Sequence, residues 1–116
     1  MKTSPDCQAL ESELERDGYA VARGLLPPEE CIALIRGYAD DARYRTTVVM
    51  ARHGFGQGEY RYFAYPLPPI VAGLRASLYA RLAPIANRWN ESLGVDSRFP
   101  PDHDDYLARC HRAGQT

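Results

Sequence analysis

Residues 52–69 read RHGFGQGEYRYFAYPLPP, and this stretch decides how the chain is interpreted. Three glycines at alternate positions come first, four aromatic residues follow within residues 60–65, and three prolines close the stretch. The β-branched run at residues 46–51 precedes it and predicts a strand. We therefore expect a β-hairpin with a glycine-rich tip, whose second strand covers residues 60–65.

The second strand of this hairpin carries the side chains that are most typical of a binding surface. Strand alternation sends Tyr62 to one face and Arg61 and Tyr65 to the other. Aromatic rings interleaved with arginine stack nucleic-acid bases or hold a carboxylate. An aromatic core strand with one exposed arginine is the alternative. The predicted substrate-binding residues are Arg52, His53, Arg61, Tyr62 and Tyr65.

The glycines at the tip of the hairpin leave two interpretations open. Their spacing matches neither a dinucleotide fingerprint nor a P-loop. The tip is either a flexible end of the hairpin or a loop that closes over a substrate.

Apolar periodicity predicts helices on both sides of the hairpin. The predicted elements are a helix from Ser4 to Asp17, a strand at residues 19–24, a helix opening at residues 27–30, the hairpin, a helix over residues 70–93 and a last helix over residues 102–112. The fold class is therefore α+β and mostly helical, with a short strand and a β-hairpin.

Length and composition describe a soluble globular chain of one domain or part of one. It has 116 residues, a net charge of −1 and 25% charged residues. It has no apolar run of about 18 residues and no N-terminal signal pattern, so we expect a cytoplasmic protein without a membrane partner. Its three cysteines are far apart, which predicts free thiols, with Cys31 and Cys110 buried on helices.

The pair His103 and Asp105, with His111 as a third ligand, is the nearest approach to an iron site. On a helix, residues 103 and 105 point roughly 200° apart. The two histidines lie about 12 Å apart along the axis. We therefore predict no metal ligand in this chain.

Three segments resemble iron(II)/2-oxoglutarate oxygenases. Residues 17–31, DGYAVARGLLPPEEC, are similar to the opening of many such enzymes. Residues 54–68 and 104–115 look like a bacterial branch described as acting on alkylated nucleic acid. The resemblance implies a double-stranded β-helix core that holds iron(II) through His-x-Asp and a distal histidine, and 2-oxoglutarate through an arginine.

In that family the core follows the segment that ends near Thr116. The resemblance thus implies that residues 1–116 are a single N-terminal, pre-catalytic segment on the substrate side, truncated or split from its β-helix core. No residue of this sequence matches a catalytic residue, metal ligand or cosubstrate arginine of the family. We expect such a segment to be inactive alone and to leave apolar surface exposed where the core belongs.

Two functions follow from these observations. The chain is the N-terminal part of a dioxygenase that catalyses oxidative hydroxylation or demethylation, with alkylated nucleic acid as its substrate. The alternative is a stand-alone α+β binding module that uses the aromatic-arginine hairpin to engage nucleic acid or a peptide.

Overall fold

A computed structural model describes residues 7–115 of the chain. Its elements in chain order are helix α1 (Cys7–Asp17), helix α2 (Pro28–Gly37), strand β1 (Tyr44–Val49), strand β2 (Glu59–Phe63), helix α3 (Pro69–Ser92) and helix α4 (His103–Arg112). The predicted α+β, mostly helical class is confirmed, as are the hairpin and the long helix that follows it. The helix start predicted at Ser4 lies outside the described residues.

The strand predicted at residues 19–24 is wrong. These residues follow the left-handed Gly18 at the end of α1, and they pair with no strand in the described part of the chain. Tyr19 and Val21 are 67% and 54% exposed. Alternation alone does not make a strand, because backbone groups outside a ladder gain no hydrogen bonds.

The chain divides into two compact units. One covers Leu26–Ile70 and is called the hairpin unit here. The other combines the residues up to Leu25 with those from Val71 onward and is called the helical unit. Within the described residues, no helix is long and apolar enough to cross a membrane.

In the hairpin unit, β1 and β2 form a two-stranded antiparallel sheet. The tip is partly ordered by a 3-10 turn over Met50–His53, which ends at Gly54 in the left-handed region with φ 71°. The amide of Met50 donates to the carbonyl of Gly58 over 2.9 Å. Glycine is suited to position 54 because it adopts a positive φ without a Cβ penalty.

The inner face of the hairpin is joined to the end of α2 through Arg61. Its guanidinium lies 5.0 Å from the ring centroids of both Tyr38 and Tyr44. Nη1 donates to the carbonyl of Tyr38 over 3.0 Å, and Nη2 donates to Oδ1 of Asp41 over 2.9 Å. The ring of Phe63 stacks on Tyr44 at 5.0 Å and extends this aromatic group.

A hydrogen bond between Tyr38 and Glu59 also joins the end of α2 to β2. The hydroxyl of Tyr38 donates to Oε2 of Glu59 over 2.8 Å, and this hydrogen bond raises the pKa of Tyr38. The same oxygen lies 3.6 Å from Nε of Arg61, which is buried and has no hydrogen-bond partner among the described residues. The guanidinium of Arg61 on β2 is therefore surrounded by groups from the end of α2 and from the hairpin. They are the carbonyl and ring of Tyr38, the carboxylates of Asp41 and Glu59, and the ring of Tyr44.

In the helical unit, α3 binds the segment that leads into α4. Nδ2 of Asn87 donates to the carbonyl of Phe99 over 3.0 Å, and Oδ1 accepts from the amide of Phe99 over 2.7 Å. The hydroxyl of Tyr79 donates to the carbonyl of Pro100 over 2.7 Å. The ring of Tyr106 lies 5.6 Å from that of Tyr79 and 5.5 Å from that of Phe99.

The apolar residues of α3 are only partly covered. Ile85 is 4% exposed, but Leu82 and Leu93 are 43% and 76% exposed. On α2, Ile35 is 72% exposed. Cys31 is also exposed, so its predicted burial is wrong, since the helix face that carries it is open to solvent.

We expect Arg61→Ala to loosen the hairpin. The substitution removes the donor to Asp41 and to the carbonyl of Tyr38, the residue that follows α2. Amide hydrogen exchange in β1 and β2 should therefore accelerate, on the order of tenfold. Arg52→Ala, which changes an exposed arginine at the tip, is the matched control. Unchanged protection in Arg61→Ala would contradict the role given to this contact.

We expect Asn87→Ala to destabilise the helical unit by about 1–3 kcal/mol, because it leaves both backbone groups of Phe99 without a partner. Urea unfolding followed by the fluorescence of Trp89, the single tryptophan, measures the loss within this unit. Asn90→Ala is the control, since Asn90 makes one hydrogen bond to the carbonyl of Ser97. An equal loss in the two variants would show that the paired hydrogen bonds carry no special weight.

Candidate functional site

The outer face of the hairpin, defined as Arg45, Tyr60, Tyr62 and Tyr65, combines exposed aromatic rings with a cationic side chain. Tyr60, Tyr62 and Tyr65 are 44%, 48% and 53% exposed. Tyr60 and Tyr62 are two residues apart on β2, so they project to one side of the sheet. Their rings meet edge to face, with centroids 5.7 Å apart. The result is an aromatic surface that is open to solvent.

A bulge in β1 brings Arg45 to this surface. Tyr44 pairs with Phe63 and Thr46 pairs with Tyr62, so Arg45 is an extra residue between consecutive pairs. Bulges of this kind re-aim a side chain. The guanidinium of Arg45 lies 5.6 Å from the ring centroid of Tyr62 and 5.8 Å from that of Tyr65. These cation-π contacts hold the charge over two exposed rings.

The charge of Arg45 is not neutralised by a nearby carboxylate. Asp41 pairs with Arg61 at 2.9 Å, and Asp40 pairs with Arg43 at 3.6 Å. Residues 42–58 contain three arginines and no aspartate or glutamate. Within residues 7–115, neither Arg45 nor Arg52 lies within ion-pair distance of a carboxylate. Both guanidiniums are therefore available to an anionic ligand.

The tip of the hairpin adds a second group of exposed side chains. Arg52 and His53 lie in the 3-10 turn and are exposed. The ring of His53 stacks on that of Phe55 at 5.9 Å, and Phe55 is 67% exposed. The tip thus combines cationic, imidazole and phenyl groups.

The structure brings only some of the predicted site residues together. Tyr62 and Tyr65 share the guanidinium of Arg45, whereas Arg61 lies on the inner face and is 16% exposed. Alternation placed Tyr65 with Arg61, but β2 ends at Phe63, so the alternation does not extend to residue 65. Arg52 and His53 lie at the tip, in a separate group.

Three exposed residues of the outer face and the tip were missed by sequence reasoning. Tyr60 and Phe55 lie within the opening stretch, and their exposure depends on how the hairpin packs. Arg45 lies before that stretch and reaches the outer face only through the bulge. The excess of arginine over residues 36–61 was the one signal that included it.

The described residues do not fit an iron centre. Among residues 7–115, no group of three or more histidine, cysteine, aspartate or glutamate side chains is placed to hold a metal ion. The ring of His103 instead meets the ring of Tyr79 edge to face at 5.3 Å. Burial lowers the pKa of His103, the charge of Arg75 lowers it further, and Asp104 opposes both. We assign no chemical step to a metal held by these residues.

Comparison with known proteins relates the chain to a family of oxygenases. The model of a family described as "Oxygenase, catalysing oxidative methylation of damaged DNA" matches residues 58–116, which include β2, α3 and α4. No solved structure matches the chain.

Two relatives come from Mycobacterium tuberculosis: "Uncharacterized protein MT2286" of strain CDC 1551 / Oshkosh and "Uncharacterized protein Rv2227" of strain ATCC 25618 / H37Rv. Each is 34% identical to this chain over 90 residues, which is 78% of this chain and 36% of the relative. The chain therefore spans only about a third of the length of these relatives. The resemblance to an oxygenase family is confirmed, and this chain belongs to the family of oxygenases described as acting on damaged DNA.

Proposed function

We propose that this chain is the substrate-side part of an iron(II)/2-oxoglutarate dioxygenase that hydroxylates or demethylates alkylated nucleic acid. Membership of the oxygenase family supports the reaction class. The observation that carries the binding role is the guanidinium of Arg45, held over Tyr62 and Tyr65 without a carboxylate partner among the described residues. A cytoplasmic location stays a prediction.

In this proposal the outer face binds one stretch of a nucleic-acid strand. Arg45 contacts a phosphate, since its guanidinium forms bidentate hydrogen bonds with phosphate oxygens. An unstacked base stacks on one of the exposed rings of the Tyr60–Tyr62 pair, because every base has a flat face that can stack on an aromatic ring. Tyr65 fixes the position of Arg45 from the other side.

The remaining predicted residues take different roles. Arg52 and His53 at the tip reach the neighbouring sugar-phosphate backbone. Arg61 acts as a positioning residue, because it fixes β2 against the end of α2 from the inner face. Its contacts within the protein replace the direct ligand contact expected from the sequence.

The oxidation itself needs groups that the described residues do not supply. Iron(II) and 2-oxoglutarate would activate oxygen in the β-helix core of the parent enzyme, which we propose is contributed by another segment. The greater length of the two relatives is compatible with this division. The residues of this chain bind and orient the strand.

We expect the chain to bind a short single-stranded oligonucleotide carrying one methylated base, and the affinity should fall with rising salt. Fluorescence anisotropy should show about tenfold weaker binding for Arg45→Ala and for Tyr62→Ala. The log–log salt slope should drop by about 0.7 in Arg45→Ala, as for one lost phosphate contact on a single strand. Arg23→Ala and Tyr19→Ala are matched controls, since both residues are exposed and lie outside the hairpin unit.

Binding that ignores Arg45 and Tyr62 would remove the outer face as the binding surface. Preference for a peptide over the oligonucleotide would favour the stand-alone binding module instead.

We expect the purified chain alone to show no turnover of 2-oxoglutarate with added iron(II), because the described residues offer no group of metal ligands. Succinate formation is the measurement, and a longer member of the family assayed in parallel shows that the conditions support activity. Robust turnover by this chain would contradict the proposal that the ligands lie in another segment.

A further inference from the structure

A cleft of about 420 Å³ lies beside the outer face, within the hairpin unit. Residues 65–69, which are Tyr65, Leu67 and three prolines, form one continuous part of its lining. Ala42, Arg43 and Ala64 form the rest. The volume falls in the range of sites for small organic ligands, which is about 300–1,000 Å³.

Tyr65 joins the cleft to the outer face. Tyr65 is part of the lining of the cleft, and its ring centroid lies 5.8 Å from the guanidinium of Arg45. Tyr65 is 53% exposed, so a ligand can contact it from solvent. The cleft and the cationic group of the outer face therefore share Tyr65.

The chemistry of the lining selects the part of a nucleotide that enters. The lining is mainly proline, alanine, leucine and tyrosine, and it includes no carboxylate. The amide of Ala64 donates to the carbonyl of Arg43 over 2.7 Å, so these two backbone groups are satisfied. An apolar, aromatic-edged cleft of this kind suits the flat face of a base better than a phosphate.

Arg43 does not change this conclusion. Its guanidinium pairs with Asp40 at 3.6 Å and lies against Gly37, where a side chain at residue 37 would displace it. Its charge is thus already partnered, whereas that of Arg45 is not. We therefore expect a phosphate to bind at Arg45 and a base to enter the cleft.

We propose that the cleft is a second nucleotide subsite, which receives the base next to the one stacked at the Tyr60–Tyr62 pair. This inference rests on the proposed function of the outer face. It makes the ligand a single strand with at least two splayed bases, one on each side of the phosphate at Arg45.

Oligothymidylate binding to the full chain, measured by fluorescence anisotropy, tests the subsite. Ala42→Leu adds bulk to the lining of the cleft and leaves Arg45, Tyr60 and Tyr62 unchanged, and we expect it to weaken binding about tenfold, as for the loss of one stacked base. Ala39→Leu is the matched control, since Ala39 is exposed in the same unit and does not line the cleft. Wild-type affinity in Ala39→Leu with weakened Ala42→Leu supports the subsite.

The other outcomes separate the two proposals. Wild-type affinity in Ala42→Leu together with weak binding by Arg45→Ala overturns the subsite and leaves the proposed function standing. Absence of salt-dependent binding by the wild-type chain overturns both. If Ala42→Leu fails to fold, amide shifts in the wild-type chain decide: changes at Ala64 and Leu67 on adding oligothymidylate support the subsite, and their absence overturns it.

Discussion

The guanidinium of Arg61 is the contact on which the hairpin unit depends. A two-stranded hairpin has little stability by itself, and this one gains a support at the end of α2. One side chain contacts the carbonyl of Tyr38, the carboxylate of Asp41 and two aromatic rings. Because Arg61 is used on the inner face, the outer face of the same strand is left to the tyrosines. The two faces carry different side chains because successive residues of a strand point to opposite sides.

The bulge at Arg45 adds a positive charge to that outer face. The residues of β1 that pair with Tyr62 and Tyr60 are Thr46 and Val48, which carry no charge. With Arg45, an unneutralised guanidinium lies over two exposed rings. The carboxylates that precede and follow this segment are used in contacts with Arg43, Arg61 and Tyr38. The local positive charge is thus a consequence of how the acidic residues are paired, although the net charge of the chain is −1.

Much of the fold could be predicted from sequence, because periodicity and turn residues are local signals. The hairpin and α3 were found this way, whereas the strand at residues 19–24 failed because pairing is a property of the whole fold. The binding surface was harder to predict from sequence. Tyr62 and Tyr65 were identified by type, but the inward orientation of Arg61 depends on Asp41 and Tyr38, some 20 residues earlier in the chain. The contribution of Arg45 depends on the bulge between Tyr44 and Thr46, which no sequence pattern predicts.

The central claim is that the outer face of the hairpin touches nucleic acid. Photo-cross-linking tests this most directly: a single strand containing 4-thiothymidine is irradiated with the chain, and the modified peptides are identified by mass spectrometry. The account predicts adducts within residues 60–65, at Tyr60, Tyr62 or Tyr65. Adducts confined to Tyr19 or Tyr79 in the helical unit, with the hairpin unmodified, would contradict it.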